Sequence, residues 1–215
     1  VTVATESDRF TARFLIGADG ANSTVRRLTG QPPQSLGFAI EGQVAEPTAN
    51  GRGVRYDFGV VPRGYGWIFP KGDHLNVGIY TYDARFRLST QQLLWYVQRV
   101  LHRSDVSHIV GCPIGMGGWA GEPRRGRIFF VGDAAGLCEP LLGEGIYYAV
   151  RSGQIAARSI LAELTDGGTA HSVFRAKMRD LQDTLRIEAK LAQAFYRDLG
   201  FGYLALRSPI ARYSL

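Results

Sequence analysis

The sequence predicts a mixed α/β (α+β) fold, in which an antiparallel sheet is inserted into an α/β domain and helices end the chain. Phe14–Ile16 is an apolar run typical of a buried strand, and residues 127–131 form a second run of the same kind. This is expected if the chain leaves one sheet and later rejoins it. Between Leu36 and Asp83, β-rich runs alternate with short turn clusters and no helical pattern intervenes, which is typical of antiparallel pairing. Two long segments with helical spacing of apolar residues complete the chain.

The elements are predicted in the following order. Two alternating strands joined by a polar turn at Glu6–Arg9 open the chain, and the second strand ends in the apolar run Phe14–Ile16. After a break at residues 17–20, Ser23 can cap a short helix over Thr24–Leu28. The strands and the helix that follow are predicted at Leu36–Glu46, Val54–Val61, Tyr65–Pro70, Leu75–Tyr82, Ser89–His102 (the helix), His108–Met116 and Arg127–Val131.

Two helices are predicted after the last strand. The first stops at Gly167-Gly168 and the second runs from about His171 to Leu199. The inner stripe predicted for the first helix is Ile146, Ala149, Val150, Gly153, Ala157, Ile160 and Leu164. We therefore divide the chain into residues 1–34 and 123–168 of one α/β domain, an antiparallel-sheet domain at 35–122, and a helical segment at 169–215.

Composition restricts the class of protein. Hydrophobic residues make up 45% and charged residues 20%, as in an ordinary globular protein, and no apolar run is long enough to span a bilayer. Cys112 and Cys138 form no metal-ligand pair, so we expect no metal site and a reducing, cytoplasmic environment. The net charge of +6 fits a solvated basic surface, an anionic substrate or peripheral contact with an anionic membrane. No nucleic-acid motif accompanies it.

The segment "FVGDAAGLCEPLLGEGIYYAVRSGQIAA", residues 130–157, is rich in glycine and alanine at the point where a strand meets a helix. Asp133 follows the strand at the carboxyl edge of the sheet, the usual ligand position in α/β domains. Gly143-Glu144-Gly145 opens a helix whose free N–H groups suit an electron-rich ligand. The alternative interpretation is that the small residues merely allow tight packing of helix on sheet.

This segment resembles the second flavin-binding motif of the FAD-dependent oxidoreductase superfamily with the aromatic-hydroxylase-like fold. In that family the Asp contacts ribityl or ribose hydroxyls of FAD, and the Pro and Gly-x-Gly line the isoalloxazine ring. "FLIGADGANSTVRR" resembles the Asp-Gly motif of the same superfamily, with Gly17, Asp19, Gly20, Ser23 and Arg26 in place. The resemblance implies a partial FAD-binding Rossmann-like domain with an inserted substrate domain. It implies cofactor contacts at Asp19, Gly20, Arg26, Asp133, Ala134, Pro140, Gly143, Glu144, Gly145 and Ile146.

A third segment, "YGWIFPKGDHLNVGI", resembles the Tyr-x-Trp-x-Phe-Pro signature of geranylgeranyl reductases, flavoproteins that hydrogenate isoprenoid C=C bonds. On a strand, Tyr65, Trp67 and Phe69 project to one face and form a flat apolar wall. The resemblance implies substrate contacts at these three residues and at Pro70 and Gly78. The alternative is that the three rings lie inside the core of the sheet domain. Family members often continue with Gly-x-Gly, whereas here Gly78 is followed by Ile79 and Tyr80.

The superfamily opens with a strand–GxGxxG–helix unit that holds the FAD pyrophosphate, and these residues contain no such unit. We therefore expect the chain to be a fragment of a longer flavoprotein and to bind FAD poorly by itself. Apolar strand surface near Phe14–Ile16 and Phe129–Val131 would then be exposed, so we expect either a homodimer or further chain to cover it.

Three functions are compatible with the sequence. The first is a geranylgeranyl-reductase-type enzyme, in which FAD, reduced by NADPH or another electron donor, delivers hydride to an isoprenoid or another apolar small molecule. The second is an aromatic hydroxylase of the same superfamily, and the third is a folded remnant without activity. No residue stands out as a general acid or base, so the catalytic residues stay unassigned.

Overall fold

The computed structural model describes residues 1–118, 124–167 and 170–206, and the chain divides into two compact units. The first unit comprises Val1–Leu36, Ile114–Glu139 and Glu144–Glu188. The second comprises Gly37–Pro113, Pro140–Gly143 and the described residues from Ala189 onward. The predicted mixture of an antiparallel sheet, a second sheet with parallel pairing and C-terminal helices is confirmed.

Two small sheets belong to the first unit. Strands β1 (Thr2–Ala4) and β2 (Arg9–Thr11) form an antiparallel hairpin. Strand β3 (Leu15–Gly17) pairs parallel with β10 (Ile128–Phe130), which pairs antiparallel with β9 (Arg124–Arg125). The predicted second strand is therefore split between two sheets. The reason is a change of hydrogen-bond partner: the N–H of Ala12 donates to Val1, whereas the N–H of Leu15 donates to Arg127.

Helices α1 (Thr24–Leu28), α3 (Ile146–Asp166) and α4 (Ala170–Arg197) have the predicted positions, and α4 extends from the first unit into the second. The core of the first unit contains Phe129 and Phe130 of β10 together with Phe174 and Met178 of α4. The rings of Phe129 and Phe174 meet edge to face, with centroids 4.8 Å apart. Among the described residues, no helix is long and apolar enough to cross a membrane.

The inner stripe predicted for α3 is wrong for most of its residues, although Ile160 packs against the core of the first unit. Ile146 is 79% exposed and Val150 is 57% exposed. The face that is buried instead is made by Tyr148, Ser152, Ile155, Ala156 and Ser159. The hydroxyl of Ser152 accepts a hydrogen bond from the N–H of Gly132 at 2.9 Å, so a small polar side chain lies where the helix approaches the turn after β10. An apolar periodicity cannot detect a packing face that is centred on serine.

The second unit contains a five-stranded sheet, which includes the predicted strand runs. Its order is β5-β6-β7-β4-β8, and the pairs β5–β6, β6–β7 and β7–β4 are antiparallel. The strands are β4 (Ser35–Ala45), β5 (Arg55–Phe58), β6 (Gly64–Pro70), β7 (His74–Thr81) and β8 (Ser107–Met116).

Helix α2 (Thr90–Leu101) covers one face of this sheet. Ser89 caps it, and Gln92 returns a hydrogen bond to the N–H of Ser89, which completes a capping box. Its Leu93, Tyr96 and Val97 are fully buried among the aliphatic side chains of this sheet face. That sheet face is made by Ile40 and Val44 of β4, Ile68 of β6, and Leu75, Val77 and Ile79 of β7. Because side chains alternate along a strand, the remaining strand residues form an opposite face. Helix α5 (Leu199–Leu206) ends the described chain.

Gly66 provides the space for the Tyr96 ring, and this contact gives a stability prediction. A methyl group on Gly66 would lie 2.5–2.8 Å from three atoms of that ring, whose hydroxyl is fixed to Asp57 at 2.7 Å. We expect Gly66→Ala to lower the free energy of unfolding by about 1–3 kcal/mol through overpacking. Gly111→Ala is the matched control, since the nearest atoms there are 3.8 Å away. Urea unfolding followed by circular dichroism measures both, and equal stabilities would contradict the packing.

Candidate active site

Three tyrosine hydroxyls hold the loop Pro140–Gly143 in the second unit. Tyr80 donates to the carbonyl of Pro140 at 3.0 Å, Tyr196 to that of Leu141 at 2.7 Å, and Tyr65 to that of Leu142 at 2.6 Å. Three consecutive carbonyls are thus bound by side chains from β6, β7 and α4. Carbonyls that are partly removed from water need hydrogen-bond donors, and here side chains supply the donors that a regular backbone ladder would otherwise provide.

Gly143 completes this loop in a conformation that favours glycine. Its φ is +72°, and a methyl group there would lie 3.0–3.4 Å from three atoms of the Tyr80 ring. The Tyr80 ring therefore packs directly against the loop backbone. Pro140 and Gly143, both predicted cofactor contacts, occupy a segment whose position is fixed by its neighbours.

The sheet face opposite α2 carries a connected set of aromatic rings. Tyr65, Trp67 and Phe69 of β6 lie on this face as predicted, and neighbouring centroids are 5.8 and 6.0 Å apart. Tyr56 and Phe58 of β5 extend the set, since each contacts Tyr65 with a centroid distance below 6 Å. From the C-terminal helices come Phe195, Tyr196 and Tyr203, which contact Phe58. We call Tyr56, Phe58, Tyr65, Trp67, Phe69, Tyr80, Tyr82, Phe195, Tyr196 and Tyr203 the aromatic cluster.

Gly78 provides the space for the Trp67 indole. A methyl group on Gly78 would lie 2.1–2.5 Å from three indole atoms, and the indole N–H donates to Oδ1 of Asn76 at 2.6 Å. Trp67 and Tyr65 are consequently buried, whereas Phe69 and Pro70 are half-buried and Tyr56 is 41% exposed. The exposed part of the cluster therefore comes more from β5 and from the end of β6 than from Tyr65 and Trp67.

Asp133 lies in the turn after β10 in the first unit. Its Oδ2 accepts the N–H of Gly115 at 3.0 Å, and its carbonyl accepts the side-chain amide of Gln34 at 2.8 Å. Within the described residues, Oδ1 has no hydrogen-bond partner. A methyl group on Gly145 would lie 3.2 Å from that Oδ1, so the absent side chain of Gly145 leaves space beside it. The carboxylate therefore retains one oxygen that can accept a hydrogen bond from a ligand hydroxyl.

Helix α3 begins beside this carboxylate. Gly145 occupies the N-cap position without a side-chain cap, and Ile146 is largely exposed. Glu144 accepts from the N–H of Tyr147 at 2.9 Å, and the N–H of Glu144 itself donates to Glu139 at 3.1 Å. The two glutamates are thus engaged in fixing the start of the helix.

A half-buried acid of α4, Glu188, contacts α3 near its start. The hydroxyl of Tyr148 donates to Glu188 at 2.5 Å. Burial raises the pKa of Glu188, and the charges of Glu139 and Glu144 act in the same direction. Burial also raises the pKa of the Cys138 thiol, which makes that side chain a poor nucleophile.

The Asp-Gly segment is built around α1. Both carboxylate oxygens of Asp19 are occupied, one by the hydroxyl of Ser23 at 2.5 Å and the other by the N–H of Val25 at 3.0 Å. Burial alone would raise the pKa of Asp19, but these hydrogen bonds lower it overall. Gly20 has a φ of +79°, the left-handed region, in the turn before the helix.

Arg26 is buried and connects this segment to the turn that holds Asp133. Its guanidinium donates to the carbonyls of Pro32 at 2.6 Å and Ala134 at 3.3 Å. The Arg26 side chain is therefore hydrogen-bonded to the turn that contains Asp133 and Ala134. Burial lowers the pKa of Arg26, whose carbonyl partners replace part of the lost hydration.

Sequence reasoning missed the loop-anchoring tyrosines and the helical part of the aromatic cluster. Tyr56, Phe58, Tyr80 and Tyr82 occur at alternating positions of two predicted strands, and that alternation could have placed them on the face of Tyr65. Phe195 and Tyr196 gave no such signal, because their contacts with Phe58 are tertiary. Within the described ranges, no group of His, Cys, Asp or Glu side chains is placed to hold a metal ion.

Comparison with curated proteins gives relatives that extend well beyond this chain. An uncharacterized protein of Methanosarcina barkeri is 33% identical over 206 residues, which cover 94% of this chain and 53% of that protein. The geranylgeranyl diphosphate reductase of Rhodobacter capsulatus is 32% identical over 174 residues, which cover 78% of this chain and 44% of that enzyme. The chain thus spans about half the length of the curated relatives it matches. No protein-family model matches the chain.

Solved structures share the fold. A geranylgeranyl bacteriochlorophyll reductase-like protein from Thermoplasma acidophilum superposes with a TM-score of 0.73 at 21% identity, over 88% of this chain and 51% of that chain. A probable FAD-dependent monooxygenase from Pseudomonas aeruginosa gives 0.63 at 18% identity, over 88% of this chain and 57% of that chain. The relatives named geranylgeranyl diphosphate reductase confirm the resemblance found in the sequence motifs, whereas the likeness to the solved structures is one of fold.

The loop anchors give a second prediction. We expect Tyr65→Phe, Tyr80→Phe and Tyr196→Phe each to cost about 0.5–1.5 kcal/mol, because each removes the donor to one part-buried carbonyl. Hydrogen exchange of the amides of residues 141–143 should accelerate in each variant.

The control for this prediction is Tyr203→Phe. Tyr203 belongs to the aromatic cluster, but its hydroxyl has no hydrogen-bond partner among the described residues. Tyr203→Phe should leave both the unfolding free energy and the exchange rates unchanged. If all four variants behave alike, the hydroxyls do not hold the loop.

Proposed function

The chain belongs to the superfamily of FAD-dependent oxidoreductases that includes the geranylgeranyl reductases, and on this premise we propose that it forms part of a flavin-dependent reductase of isoprenoid C=C bonds. The relatives named geranylgeranyl diphosphate reductase support this substrate class. The observation that carries the proposal is the aromatic cluster on the sheet face opposite α2. A partly exposed wall of rings offers a polyprenyl chain a large apolar contact without a polar group to desolvate.

The first unit supplies groups that fit FAD. Asp133 retains a carboxylate oxygen for a cofactor hydroxyl, and Gly145 keeps the space beside that oxygen open. Gly115 and Gln34 hold the turn in place, so the carboxylate is oriented before the ligand arrives. When bound, the flavin supplies the hydride, and the protein positions it and the alkene. NADPH or another donor would provide the electrons.

The aromatic cluster would act by excluding water and aligning the alkene. Tyr65 and Trp67 are buried beneath the more exposed rings and keep the wall rigid, since Trp67 is fixed by both Gly78 and Asn76. Tyr56 and Phe69, whose centroids lie 5.3 Å apart edge to face, are exposed enough to contact a substrate. Contact with an anionic membrane surface, where polyprenyl lipids reside, is compatible with the positive net charge.

Asp133 gives a prediction for cofactor binding. Asp133→Asn keeps an acceptor for the N–H of Gly115 but removes the charge that a cofactor hydroxyl would meet. We expect FAD affinity to fall by about 1.5–3 kcal/mol, the range of a charged hydrogen bond, with little change in the unfolding transition. Flavin fluorescence titration of the whole protein that contains this chain measures the affinity.

Asp180→Asn is the control for this measurement. Asp180 is an exposed carboxylate on the part of α4 that belongs to the same unit. It should leave FAD affinity unchanged. Equal FAD affinities for the wild type and Asp133→Asn would show that Asp133 does not bind the cofactor.

The reaction itself is tested with the whole flavoprotein and geranylgeranyl diphosphate, under chemical reduction of the flavin in the absence of oxygen. We expect each reduced double bond to add the mass of two hydrogen atoms to the product. Tyr56→Ala should slow turnover at low substrate concentration more than Tyr147→Ala, which replaces a more exposed ring on α3. Incorporation of an oxygen atom when air is admitted, without hydrogenation, would identify a hydroxylase instead.

A further inference from the structure

One buried hydroxyl of the aromatic cluster has no hydrogen-bond partner among the described residues. The Oη atom of Tyr82 is buried, and it neither donates a hydrogen bond to the rest of the described chain nor accepts one from it. A buried hydroxyl without a partner is destabilising, since its lost hydration is not replaced. Such a group in a native protein calls for an explanation, for example a catalytic role or a bound water or ion that completes it.

Tyr82 lies at one end of the aromatic face. Its N–H donates to the carbonyl of Arg63 at 3.2 Å, so the pairing of β6 with β7 continues one step beyond Thr81. Alternation then places Tyr82 on the same face as Tyr80. Its ring meets that of Tyr196 edge to face with centroids 5.5 Å apart.

Arg63 brings a positive charge to the same end. Its guanidinium carbon lies 5.9 Å from the centroid of the Tyr82 ring, and its side chain is exposed. Among the described residues it forms no salt bridge. The adjacent carboxylate of Asp83 instead accepts from the N–H of Arg85 at 3.1 Å and from its Nε at 3.4 Å.

The backbone of Arg63 is strained. Its φ is +46°, in the left-handed region, where a glycine would be more stable than a residue with a side chain. A long cationic side chain at this turn therefore has a stability cost, which suggests that the side chain itself has a role.

We propose that Tyr82 and Arg63 form a site for the diphosphate of a polyprenyl diphosphate, whose hydrocarbon chain lies along the aromatic cluster. Both side chains donate hydrogen bonds, so the ligand group must be an acceptor, and the guanidinium favours an oxyanion. The site lies at one end of the aromatic cluster. This arrangement suits a ligand that has an anionic group at one end and a long apolar chain. The choice of a polyprenyl compound as the ligand rests on the proposed function.

The test measures binding with farnesyl diphosphate, farnesol and inorganic diphosphate by calorimetry on the whole flavoprotein. The variants are Tyr82→Phe and Arg63→Gly, and the control is Arg99→Gln, an exposed arginine on α2 stacked against Trp95. We expect each variant to weaken farnesyl diphosphate by about tenfold, the effect of one hydrogen bond to a charged group. Farnesol affinity should not change, and Arg99→Gln should bind all three ligands as the wild type does.

Thermal unfolding separates this role from a structural one. Because Tyr82 loses no protein hydrogen bond and Arg63 gains a relaxed backbone, both variants should keep or raise the melting temperature. A lower melting temperature for Tyr82→Phe would show that the hydroxyl is structural and would overturn the proposal. So would an equal loss of farnesol binding, or inorganic diphosphate binding as tightly as the prenyl compound.

These outcomes are independent of catalysis. If the protein fails to hydrogenate a prenyl substrate but the variants selectively lose farnesyl diphosphate, the site stands and the proposed reaction is wrong. If hydrogenation occurs and the variants bind farnesyl diphosphate like the wild type, the reaction stands and the site is wrong.

Discussion

The arrangement of the second unit depends on three hydrogen bonds, from the hydroxyls of Tyr65, Tyr80 and Tyr196 to the carbonyls of Pro140–Leu142. A short loop cannot satisfy its own carbonyls, so each needs a donor at a fixed place. The rings that carry these donors are also members of the aromatic cluster. The same three side chains therefore fix the loop backbone and form part of the aromatic face. If one of these rings shifts, its hydrogen bond to a loop carbonyl is broken.

Glycines determine where those rings can lie. Gly78 gives room to the indole of Trp67 on the aromatic face, and Gly66 gives room to Tyr96 on the face covered by α2. At both positions the strand residue has no side chain, so a large ring can pack directly against the strand backbone. The two faces thus differ in chemistry: aliphatic side chains and α2 fill one, and aromatic side chains form the other.

In the first unit, charged residues serve mainly to order the backbone. Asp19 holds the start of α1, and Arg26 holds the carbonyls of Pro32 and Ala134. Asp133 differs from them because only one of its carboxylate oxygens accepts a hydrogen bond from the part of the chain that the structure describes. A rigid turn with a single spared acceptor is suited to recognise a hydroxyl, since little freedom remains to be lost on binding.

The sequence by itself determined the mixed fold, the strands β4–β7, the capped helices α1 and α2, and the face shared by Tyr65, Trp67 and Phe69, because these follow from local periodicity and capping chemistry. Only the tertiary structure decided the split of the second predicted strand, the buried face of α3 around Ser152, the occupied oxygens of Asp19 and the partners of Phe195 and Tyr196. Except for the hydrogen bonds that Asp19 accepts from Ser23 and Val25, each of these depends on contacts between residues far apart in the chain. A local pattern records which face a side chain takes, but not which distant group will satisfy its hydrogen bond or fill the space beside it.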